Sequence, residues 1–144
     1  MPVAAPGFLH HAVDNLRFML VNADMGLPLC LVAVTTPLLL FSPGLRKALT
    51  GSGNAALFAA VPLSWLALVP WGALFLDAMD GHHDRPWAAW VVYAVFLGWP
   101  VVAATAIWRL RGARIAAALH VLANVPGWLL GGFVGVMAVT GDWI

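Results

Sequence analysis

Residues 115–139 read IAAALHVLANVPGWLLGGFVGVMAV, a run without a single charged side chain. At about 1.5 Å per residue in a helix the run reaches roughly 37 Å, more than the roughly 30 Å of a bilayer's hydrocarbon core. Three more apolar stretches precede it, at about 25–41, 55–76 and 87–108. The chain is 62% hydrophobic and 9% charged, with neither Glu nor Gln, whereas a soluble domain carries roughly 25% charged residues. These features predict an all-α membrane protein: a single domain, residues 1–144, with four transmembrane helices.

The spans are punctuated by recognisable breakers. Ser42-Pro43-Gly44 closes the first, and Gly51-Ser52-Gly53 lies in the loop before the second. Ahead of the first span, Leu9, Ala12, Val13, Leu16 and Leu20 recur at helical spacing while His10, Asp14 and Arg17 take another face. This suits a short amphipathic helix in the interface plane, or a forward extension of the first span. The early polar residues do not form the basic-then-apolar pattern of a cleavable signal, so the first span is expected to stay.

Basic residues set the expected direction. Arg46 and Lys47 separate spans one and two, and Arg109, Arg111 and Arg114 separate spans three and four, which places both connections in the cytoplasm. The remaining loop has Arg85 among Asp77, Asp80 and Asp84, and faces outward together with both termini. A bacterial inner membrane is the expected location. Trp71, Trp87, Trp108 and Trp143 fall near span boundaries, as interfacial rings do, while Trp65, Trp90, Trp99 and Trp128 are placed for packing.

Several residues stand out within the spans. Ala123, Gly127, Gly131 and Gly135 recur every four residues and form a smooth ridge for close helix contact, either within the bundle or with another subunit. Ala55 with Ala59, and Ala56 with Ala60, offer a second small surface on span two. Pro37, Pro62, Pro100 and Pro126 interrupt the four spans, one each. Val61-Pro62 and Val125-Pro126 begin similar short segments, a weak echo of two duplicated hairpins. His120 and Asn124 lie one helical turn apart in the cytoplasmic half of span four, where polar groups need partners. They serve either to tie helices together or to contact a quinone or haem.

On the outer side, His10, His11 and Asp14 join Asp77, Asp80, His82, His83 and Asp84 as candidate ligands for a divalent metal. The simpler reading is a solvated polar loop. Cys30 is the only cysteine, so no intrachain disulfide forms. There is no phosphate loop, and a net charge of +1 gives no nucleic-acid surface. The function expected is that of a small subunit packing into a larger membrane complex, an electron-transfer or transport assembly. Other integral membrane subunits, a second copy and lipids are the expected partners. An outward metal-binding enzyme or metal-handling protein is the main rival.

Overall fold

The computed structural model describes residues 8–22, 25–75 and 86–140, with side chains 8–12, 19, 22 and 86 outside the description. The described residues form helices and turns without a strand. The helices in chain order are α1 (Phe8–Asn22), α2 (Gly26–Leu40), α3 (Pro43–Leu49), α4 (Asn54–Leu66), α5 (Leu68–Ala73), α6 (Pro86–Arg109) and α7 (Arg114–Thr140), with a 3-10 turn at Arg111–Ala113. Three helical stretches are long and apolar enough to cross a membrane: Asn54–Ala73, Trp87–Arg109 and Arg111–Thr140. A fourth is reached if α2 and α3, bent by 93° at their junction, count as one span.

Proline chemistry explains that bend. Pro43 has no N–H with which to continue α2, and it occupies the first turn of α3, where none is needed. The Ser42 amide instead bonds the Leu39 carbonyl at 3.0 Å, and the Arg46 amide bonds the Ser42 carbonyl at 3.1 Å. Leu45 is buried beneath α3 with Ala48 and Leu49 packed beside it, while Arg46 and Lys47 are exposed, so α3 is anchored by its apolar side with its cations outward. The turn into α4 passes through Gly53 at φ 75°, a left-handed conformation that glycine adopts without a Cβ penalty. Asn54 closes it by donating Nδ2–H to the Ala48 carbonyl at 2.7 Å.

The helix α7 is the axis of the bundle, in contact with α2, α4, α5 and α6. It is more deeply buried than α6, which places the glycine-rich span in the centre. Met25, Val61, Trp65, Trp99, Ala103 and Val134 form the main core. A second cluster around Leu68, Val92 and Val139 continues it toward one end, and Leu45, Phe58, Leu110 and Ala117 close the other. The helix α1 packs on α5, with Leu16 and Leu20 against the core and Asn15 Nδ2–H donating to the Ala73 carbonyl at 3.1 Å.

One expectation about a helix face is corrected. Trp90 is 70% exposed rather than packed inside, because α6 turns Ala88, Val92 and Trp99 inward instead. The small residues Ala55, Ala56 and Ala59 lie on the outward side of α4, which makes its contacts within the bundle through Phe58, Val61 and Trp65.

Candidate functional site

The polar groups of the bundle interior gather where α4 and α6 meet α7. Their placement follows from the prolines. Pro62 cannot donate to the carbonyl four residues earlier, that of Phe58, and Pro100 leaves the carbonyl of Phe96 in the same position. Inside an apolar bundle such a carbonyl needs another donor. His120 Nε2 lies 3.1 Å from the Phe58 carbonyl, and Trp128 Nε1–H donates to the Phe96 carbonyl at 2.9 Å. Two side chains of α7 thus replace the two backbone donors that α4 and α6 lack.

A carbonyl only accepts, so Nε2 carries the hydrogen in this contact. The ring also stacks on Phe58 itself, with centroids 3.7 Å apart and planes 15° from parallel. At 1% exposure it is held on a face and at an edge by one residue. Its Nδ1 is buried and has no partner among the described residues. Any cofactor contact at this histidine would have to use Nδ1, because Nε2 is committed to Phe58.

Asn124 extends the arrangement toward the middle of the bundle. Its Nδ2–H donates to the His120 carbonyl at 2.8 Å, one turn back, and its Oδ1 accepts from Trp65 Nε1–H at 2.9 Å. Trp99 Nε1–H donates to the Val61 carbonyl at 2.9 Å. The Trp128 ring stacks on Phe96 (4.7 Å, 18°) and on Trp99 (4.8 Å, 10°). Each indole therefore has its apolar body in the core and its single donor satisfied.

The glycine ridge lies directly against this cluster. A Cβ at Gly127 would come within 2.4 Å of the Trp65 ring, and one at Gly132 within 2.2 Å of the Phe96 ring. At Gly131 the neighbour is backbone, the Trp65 carbonyl at 3.2 Å from a built Cβ, and at Gly135 a built Cβ would meet Val92 Cγ1 at 3.4 Å and the Leu68 Cβ and carbonyl at 3.7 Å. The ridge is thus occupied from within the chain: Gly127 is a socket for a ring, and Gly131 and Gly135 allow close passage of α4 and α5. Ala123, the fourth member, is half-buried.

Comparison of the chain with protein-family models, curated proteins and solved structures finds no match. The site therefore stands on its own geometry.

Of the proposed outer metal ligands, Asp77, Asp80, His82, His83 and Asp84 lie outside the described residues, as do the side chains of His10 and His11. Asp14 is exposed on α1 and lines a shallow pocket with Arg17, Phe18 and Val21. Among the described residues no three His, Cys, Asp or Glu side chains converge to hold a metal ion.

Sequence reasoning reached His120 and Asn124 but not their partners. A signal for part of the answer was present: Pro62 and Pro100 identify the Phe58 and Phe96 carbonyls as needing donors. This pairing gives a direct test. His120→Phe should cost about 1–2 kcal/mol by stranding a buried carbonyl. In a Pro62→Ala background, which restores the backbone donor, that cost should largely vanish. Unfolding of the four variants in mixed micelles checks it; equal costs in both backgrounds would mean that His120 does not serve the proline.

Proposed function

We propose that the chain is a small multi-pass subunit of the cell inner membrane that packs into and stabilises a larger membrane protein complex, an electron-transfer or transport assembly. In this reading α2, α4 with α5, α6 and α7 are the four spans, α3 belongs to the first cytoplasmic connection, α1 lies in the interface, and both termini are non-cytoplasmic. The observation that carries it is the use made of interior polar groups. His120, Asn124, Trp65, Trp99 and Trp128 all bond across or along helices. Thr35, Ser64 and Thr105 bond back to their own helices. Polar side chains spent in this way rigidify a scaffold rather than line a path for a substrate.

The outward faces supply the contact surface in this reading. Ala55, Ala56 and Ala59 leave a flat strip on α4, which another transmembrane helix can approach closely. Purification from native membranes in a mild detergent should retain a stoichiometric membrane partner. Ala55→Leu/Ala59→Leu should release that partner while leaving the thermal midpoint of the isolated chain within about 2 °C of wild type, as surface substitutions do. Recovery of the wild-type chain as a fully active monomer would overturn the proposal.

A further inference from the structure

Five of the seven basic side chains, Arg46, Lys47, Arg109, Arg111 and Arg114, belong to two connections and are exposed, while residues 25–76 and 86–141 contain no Asp or Glu. The two connections meet in space. The helix α3 packs on the Arg111–Ala113 turn, and a Cβ at Gly44 would lie 3.6 Å from the Gly112 carbonyl. Cations are thus gathered at one end of the bundle without a carboxylate from either connection to balance them. Such a cluster attracts anionic groups.

Between the connections lies a groove of about 490 Å³. Ser42, Arg111 and Arg114 supply its polar lining, and Leu39, Ile115 and Leu119 its apolar walls. The Arg111 guanidinium carbon sits 5.0 Å from the centroid of the Trp108 ring, a cation–π contact that restrains this long side chain at the groove. Ile115 and Leu119 are one turn apart on the outward face of α7, both exposed, and Leu122 continues the same apolar track away from the charged end. A ligand fitting this surface carries a negative charge at one end and an apolar chain at the other.

The geometry points to a binding site for an anionic phospholipid, its phosphate on Arg111 and Arg114 and one acyl chain along Leu39, Ile115 and Leu119. Arginine suits phosphate because its planar fork donates two parallel hydrogen bonds. Basic pockets between membrane helices select anionic headgroups on the same principle. A free phosphate shares the headgroup chemistry but makes no use of the apolar wall. The inference holds whether or not the chain has protein partners.

The test uses the full-length protein, stripped of lipid in a neutral detergent and titrated with phosphatidylglycerol, with phosphatidylcholine as the zwitterionic control. Native mass spectrometry counts the lipid bound. Phosphatidylglycerol should bind at least tenfold more tightly than phosphatidylcholine. Arg111→Gln/Arg114→Gln should weaken it at least tenfold, Arg46→Gln/Lys47→Gln less than threefold, and millimolar inorganic phosphate should not displace it. Equal affinity for the two lipids, equal losses in the two double variants, or full displacement by inorganic phosphate would overturn the proposal. Ile115→Asn/Leu119→Asn tests the apolar half of the groove without touching its charges and should also weaken phosphatidylglycerol binding about tenfold; unchanged binding in that variant counts against the site even if the arginine variant fails to fold.

Discussion

Gly127→Ala should destabilise the bundle by about 3 kcal/mol, the upper end of what overpacking a well-filled core costs. The added Cβ would lie 2.4, 2.5 and 2.7 Å from three atoms of the Trp65 ring, well inside van der Waals contact. The ring has little freedom to yield. Trp65 is wholly buried, its Nε1 is bonded to Asn124 at 2.9 Å, and its own carbonyl passes close to Gly131. Moving the indole therefore breaks a buried hydrogen bond or shifts α4. The informative comparison is Gly132→Ala, whose Cβ meets the Phe96 ring at 2.2 Å, nominally a worse clash. Phe96 is only half-buried and borders an open groove of about 480 Å³ with Tyr93, Leu97 and Phe133, so its ring can yield at the cost of its stacking on Trp128 rather than of a buried hydrogen bond. Gly132→Ala should cost about 1 kcal/mol, the lower end of the overpacking range. Reversible unfolding in mixed micelles measures both; a ranking set by clash distance alone, with Gly132 the costlier, would refute the account.

Trp65→Ala should be the most damaging single truncation, costing about 3–5 kcal/mol. In a bilayer the transfer term is small, because lipid tails are as apolar as the protein interior, so most of the cost is lost packing around the void. The void would open against Gly127 and Gly131, neither of which has a side chain to fill it. The truncation also takes a donor from Asn124 Oδ1. Trp65→Phe keeps an aromatic ring in the socket and removes the donor, so it should cost about 1–2 kcal/mol, the value of one buried hydrogen bond with modest repacking. A coupling of more than about 1 kcal/mol between Trp65→Leu and Gly127→Ala is expected, since each substitution changes the fit of the other. Additive losses would show that ring and socket are energetically independent.

Both expectations concern pairings that the amino-acid order only half reveals. The ridge at Ala123, Gly127, Gly131 and Gly135 was legible as a contact surface because its four-residue spacing keeps one helix face smooth. The residue filling it was not. The structure turns Phe58, Val61 and Trp65 of α4 to α7 and leaves the small residues Ala55, Ala56 and Ala59 outside. A flat surface admits either another flat surface or a large ring, and spacing does not choose between them. The same holds for His120 and Asn124: their burial in an apolar run announced a need for partners, and Pro62 and Pro100 announced carbonyls in need of donors. Which donor serves which carbonyl depends on how far each helix is rotated about its axis.

From the order of residues alone it follows that the chain is helical, that several of its helices are apolar enough to cross a membrane, and that most of its cations collect in two connections. Those are properties of each segment against its solvent, so local composition suffices. Tertiary structure alone decided that Trp65 fills Gly127, that His120 and Trp128 repair the prolines of α4 and α6, and that the two basic connections meet around one groove. The physical reason is that lipid and protein interior are equally apolar. A soluble helix shows its inward face by the contrast between oily and polar sides, whereas here that contrast is nearly absent, and helix rotation is settled by ring-into-socket packing and a few buried hydrogen bonds.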